Sequence, residues 1–167
     1  MKYFRLIIFL LLVTAATPAF ANMVWPALYL ETRLFSWWAI GIGFFVELLA
    51  IRIIFNVTWG RSVIASVSAN AGSALLGLPL IPLAGIAWEF FPGSLYMGLL
   101  DWGTFNPITW IATFVIACLL NAGIEAFILW RWFKLSVGKK QFWQMVLANA
   151  ISVGVAFASL FVVPVGW

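Results

Sequence analysis

Two stretches of this 167-residue chain place an acid where acids are rare. "FFVELLAIR", Phe44 to Arg52, holds Glu47 among seven apolar residues, and "NAGIEAFILW", Asn121 to Trp130, holds Glu125 in similar company. Each acid is followed by an amide at a nearly constant distance: Asn70 comes 23 residues after Glu47, and Asn149 comes 24 after Glu125. Both amides sit in Ala-Asn-Ala-x-Ser, which adds Ser73 and Ser152, and Asn121 stands one helical turn before Glu125. A carboxyl group beside a carboxamide can do two kinds of work. As a neutral acid it donates to the amide carbonyl and accepts from the NH₂, clamping two helices. Alternatively it takes up a proton or a cation, since carboxylates inside a membrane mark relays and ion sites.

Composition argues against other chemistry. The chain has no histidine and one cysteine, Cys118, in the middle of an apolar run, so disulfide frameworks and the usual zinc or haem ligand sets are excluded. No cofactor, metal site or enzymatic activity is expected, because no Ser-Lys or paired-aspartate spacing appears. Glu89 and Asp101 read as solvated loop charges. Gly41-Ile-Gly43 lies within an apolar run and suits packing better than phosphate binding. Nine Lys and Arg against five acids give a net charge of +4. They cluster beside the apolar runs, which is a pattern of membrane orientation and not of nucleic-acid binding.

The elements that must position these residues follow from a chain that is 65% hydrophobic and 8% charged, with a mean hydropathy of +1.11. Soluble domains are nearer a quarter charged. Four runs approach the ~20 residues that cross a ~30 Å hydrocarbon layer. They cover 35–56, 62–82, 108–130 and 142–164. Ahead of them "MKYFR", "LIIFLLLV" and Ala19-Phe20-Ala21 have the charge, apolar core and small-x-small end of a secretory signal. Residues 1–21 are therefore expected to be a cleaved signal peptide, with an uncleaved anchor as the alternative, and 22–167 a single transmembrane domain. The expected fold is an all-α integral membrane protein: a four-helix bundle of two parallel, pseudo-symmetric hairpins after the signal segment.

Arg52 and Arg61 flank the first connection, and Arg131, Lys134, Lys139 and Lys140 flank the third. Both connections are expected on the cytoplasmic side of a bacterial-type inner (plasma) membrane, with both mature termini outside. The tryptophans fit this placement: Trp25, Trp37, Trp38, Trp88, Trp102, Trp110 and Trp167 fall at the outer boundary, and Trp59, Trp130, Trp132 and Trp143 at the inner one. The connection 83–107 stays apolar, and we expect it to lie on the outer membrane surface with a short helix after Pro92-Gly93. "WPALYLETRLF" is expected to lie there too, with Pro26 in its first turn. Besides the lipid bilayer, a second copy or a membrane-protein partner would meet the chain through 83–107.

Counting 1.5 Å per residue puts Glu47, Asn70 and Asn149 about 13 Å from the cytoplasmic boundary and Glu125 about 9 to 12 Å from it. Arg52 lies about 140° around the helix from Glu47, and Arg131 about 120° from Glu125, so these bases are expected to reach for headgroups. The acids then face the bundle. Two functions fit. One is a small transport or ion- or proton-conducting component using Glu47, Asn70, Ser73, Asn121, Glu125, Asn149 and Ser152. The other is a non-transporting binding protein, an assembly factor or immunity-type protein, in which the Glu/Asn pairs are structural clamps.

Overall fold

A bilayer offers the backbone no hydrogen bonds, so apolar segments of this length close their own as helices. The computed structural model describes residues 25–162, and every element in that range is helical. The expected signal segment and Trp167 lie outside it. Helix α1 is Trp25–Leu34, α2 is Trp37–Phe55 and α3 is Trp59–Trp88. A kink at Glu89–Gly93, with Phe91 in an extended conformation, leads to α4, Ser94–Leu100, followed by α5, Pro107–Arg131, and α6, Lys139–Val162. Helices α2, α3 with its continuation, α5 and α6 are each long and apolar enough to cross a membrane, which makes this a multi-pass membrane protein. Large apolar side chains such as Ile53, Leu75, Ile111 and Leu147 point outward, where lipid and not water meets them.

Local chemistry fixes the helix ends. Asn56 closes α2 with a left-handed backbone, φ 48°, a conformation Asn tolerates better than most residues. Arg52 turns back over this corner, donating to the Val57 carbonyl and standing 5.1 Å from the Trp59 ring centre. Asn106 caps α5, its Oδ1 accepting from the Thr109 N–H at 2.9 Å, with Pro107 in the first turn where a missing N–H costs nothing. Arg61 donates to the Phe133 carbonyl, tying the start of α3 to the connection between α5 and α6.

The four long helices form a ring in which α2 packs on α3, α3 on α5, α5 on α6 and α6 on α2. Two apolar clusters fill it. One, near the α2–α3 and α5–α6 corners, is built on Ile51, Ala65, Ala122, Ala126, Leu129 and Met145. The other, at the far end, joins Ala39, Ile81, Ala117, Cys118, Val153 and Ala156. Glu47, Asn70, Ser73, Asn121, Asn149 and Ser152 fall between the two along their helices, and Glu125 falls at the edge of the first.

Helix α1 departs from the surface position expected for it. Ala27 and Leu30 are fully buried in the far cluster, and α1 packs on α6, α3 and α5. The small side chains of Ala117, Cys118 and Ala156 leave the groove that receives them. The second span also differs. Its expected range, 62–82, is the middle of a 30-residue helix that continues to Trp88 through Pro79 and Pro82. At 1.5 Å per residue α3 is about 45 Å long, more than a hydrocarbon layer requires. Its extension has a protein partner, because Gly85 lies so close to Ala27 that a Cβ there would stand 3.2 Å from the Ala27 Cβ. The short helix expected after Pro92-Gly93 is α4, which buries no side chain.

Candidate functional site

Helices α2 and α3 run in contact from their shared corner for two turns. Ser62 Oγ donates to the Leu48 carbonyl at 2.7 Å, and Ser66 Oγ to the Phe44 carbonyl at 3.4 Å. Serine permits this approach because it is small and brings its own donor. One turn further, Asn70 Nδ2 donates to Glu47 Oε2 and also to the Ser66 carbonyl, the latter at 2.9 Å. The second hairpin has the same pairing: Asn149 Nδ2 donates to Glu125 Oε2 at 2.8 Å. Ser73 and Ser152 each donate to the carbonyl of the Asn three residues before, at 3.1 Å in both cases.

The serines also cross between hairpins. The Ser152 side chain reaches the Glu47 carboxyl, and Ser73 reaches that of Glu125. The two carboxyls are near enough for the charge of Glu125 to act on Glu47. Six of the seven residues singled out from the sequence thus form one connected layer. Asn121, the seventh, is half-buried and turns its Oδ1 toward Gly77 of α3, 3.5 Å from where a Cβ would stand.

The two pairs differ in what surrounds them. Glu125 and Asn149 are 2% and 1% exposed, and Glu125 Oε1 and Asn149 Oδ1 have no hydrogen-bond partner. Glu47 and Asn70 border a cavity of about 240 Å³ that opens where the direct contacts of α2 and α3 end. Ser73, Asn121 and Ser152 share its polar floor, and Leu34, Phe35, Ile40, Leu78 and Ile81 form apolar walls. Phe35, Ile40, Ala71, Ala74 and Leu78 are exposed, so the mouth lies along the outer surface of the bundle between α2 and α3.

Glu31 of α1 also lines this cavity, and sequence reasoning left it out of the site. It is 8% exposed, and its Oε1 has no hydrogen-bond partner. Burial pushes its carboxyl from the usual 4.5 up to about 7. The available signal was its place beside Leu30 in an apolar helix, although whether such a helix meets lipid or protein depends on residues far along the chain. Glu89 requires a correction. Read as a solvated loop charge, it is 1% exposed, with neither carboxyl oxygen bonded, whereas Asp101 is exposed. Glu89 stands at the start of the kink that follows α3, where Gly93 packs back on Trp88 so closely that a Cβ would lie 2.8 Å from the Trp88 carbonyl oxygen.

Among the described residues no group of three or more Cys, Asp or Glu is placed to hold a metal ion. Compared with known proteins, the chain matches no family model, no curated protein and no solved structure.

Proposed function

We propose that this protein is a small membrane transport component that takes up a proton or a cation at Glu47. The observation that carries the reading is one-sided access: a cavity reaches Glu47 from the mouth, while the Ile51, Ala65 and Leu129 cluster closes the other end of the ring. One carboxyl cannot hold a proton and a cation together, so uptake of either displaces the other. Asn70 and Ser152 orient the acid, and Glu125 acts on it through its charge. The reading is of a carrier and not of an enzyme.

We place the corners at residues 56–58 and 132–138 in the cytoplasm of a bacterial-type inner membrane, on the strength of Arg61, Arg131, Lys139 and Lys140 beside them. Reading the hairpins as two copies about an axis along the membrane normal is supported by the matching Glu–Asn bonds and the crossed serines. Four helices leave little room for a complete path, so activity would involve a second copy or a partner.

Reconstituted in liposomes with an internal pH or cation indicator, the wild-type protein is expected to carry flux that Glu47→Gln abolishes. Gln still accepts from Asn70, so the fold is kept. Equal flux in both proteins would overturn the reading.

The rival is a binding protein, and the sealed Glu125–Asn149 pair favours it. A protonated Glu125 would donate from Oε1, with the amide carbonyl of Asn149 as the acceptor at hand. This is the chemistry of a clamp. Helix α4, with Leu95, Leu99 and Leu100 exposed, would then be the contact surface. Capture of one defined membrane protein that is lost when 83–107 is altered, together with no flux, would select this rival.

A further inference from the structure

We propose that the cavity between α2 and α3 is a binding site for an organic cation with an apolar body, an alkyl or aryl ammonium, whose head pairs with Glu47. The proposal rests on the carrier reading and names its substrate class.

Three observations lead there. The first is charge: Glu31 and Glu47 both line the cavity, and among the described residues no Lys or Arg does. Glu31 is 8% exposed and its Oε1 is enclosed by protein without a hydrogen-bond partner, so Glu31 adds negative charge at the lining, and the carboxyl that pairs with a ligand is that of Glu47.

The second is the division of the lining. The polar groups gather on the floor around Glu47, while Phe35, Ile40, Leu78 and Ile81 offer only carbon surface. An inorganic cation needs several oxygen ligands around it and would leave these walls without a role. An ammonium head takes one carboxylate and a few neutral acceptors, and its body covers the walls. The aromatic ring of Phe35 is also a suitable neighbour for a cationic head on its way in.

The third is size and route. A dry apolar cavity of about 150 Å³ holds a benzene ring. The 240 Å³ here accommodates a ring and a small ammonium group. From Ala39 to Glu47 the cavity runs about 12 Å along α2, and its mouth on the outer surface of the bundle suits a ligand arriving from the lipid.

The test is isothermal titration of the purified full-length protein in detergent with benzyltrimethylammonium. Tetramethylammonium supplies the head alone, and benzyl alcohol a neutral body. We expect saturable binding of benzyltrimethylammonium, with each comparator about tenfold weaker or more, as the loss of one charge-assisted or apolar contact produces. Glu47→Gln should lower the affinity about tenfold or more. Ala74→Phe, which places a ring in the mouth from an exposed position and so spares the core, should abolish binding. Absence of binding to the wild-type protein, equal binding of benzyl alcohol, or binding unchanged by both substitutions would each overturn the proposal. Proton flux without benzyltrimethylammonium binding would remove this inference and leave the carrier reading standing. Binding without any flux would do the reverse.

Discussion

Asn149→Ala and Asn70→Ala remove the same side chain from two like pairs, yet the structure predicts unequal consequences. Asn149 is 1% exposed beside a Glu125 that is 2% exposed, and neither lines the cavity at Glu47. Without Asn149, Glu125 Oε2 loses the amide that bonds it at 2.8 Å, Oε1 already has no partner, and only the Ser73 side chain stays within reach of the carboxyl. Leaving such a group unsatisfied costs about 1 to 3 kcal/mol. Asn70 borders a 240 Å³ cavity with polar groups on its floor, where water can take over the lost bond to Glu47. The cost there should approach the ~0.6 kcal/mol average for hydrogen bonds between membrane helices. A difference of about 1 kcal/mol, roughly fivefold in the folding equilibrium, is therefore expected. Reversible unfolding in mixed micelles, followed by circular dichroism across a denaturing-detergent titration, measures both variants against the wild type. If Asn70→Ala costs as much as Asn149→Ala or more, the distinction between an open and a sealed pair is wrong.

Two further outcomes test the packing around this layer. Glu31 has a carboxyl raised from 4.5 to about 7, so between these values the folded state binds the extra proton. Stability due to this group is complete below about 4.5 and is lost as pH rises toward and through 7. The melting temperature of the wild type relative to Glu31→Gln should fall across that window and level off above it, and parallel curves would contradict the burial of Glu31. Gly72 lies where α3 meets α5, and a Cβ there would come within 2.1 Å of Ile128 Cδ1. Gly72→Ala should therefore destabilise by about 1 to 3 kcal/mol, the range for overpacking, and Ile128→Val, which deletes that methyl, should restore most of it in the double variant.

What the sequence made legible reflects how strongly lipid constrains a chain. Helices α2, α5 and α6 fall within a few residues of their expected bounds because an apolar run of this length has little alternative. Counting depth from the charged ends brought Glu47 level with Asn70, and the structure joins them, as it joins Glu125 to Asn149. Helix α1 could not be placed this way. Its apolar stripe, with Ala27 and Leu30, suits a membrane surface as well as a groove between helices. The groove is made by Ala117, Cys118 and Ala156, some ninety to one hundred and thirty residues away. The omission of Glu31 and the reading of Glu89 as solvated have the same reason: sequence pattern shows which residues share a face, not what that face meets.

The difference between the two pairs was out of reach for a related reason, since it comes from packing that follows the pairs and not from the pairs themselves. Both hairpins carry the acid, the amide and the serine at matched positions. Beyond the Asn70–Glu47 bond a cavity lies between helices α2 and α3, while Glu125 and Asn149 stay enclosed. A sealed acid suits a fixed contact between helices, because no ligand reaches it. An open one suits exchange. If a cation does bind at Glu47, its release on the opposite side requires the Ile51 and Leu129 cluster to part. The contacts that must yield first are the Ser62–Leu48 and Ser66–Phe44 hydrogen bonds, which hold α2 to α3 just below the cavity floor. Both are single hydroxyl donors to helix carbonyls that already serve their own ladders, and such bonds can open without unwinding either helix.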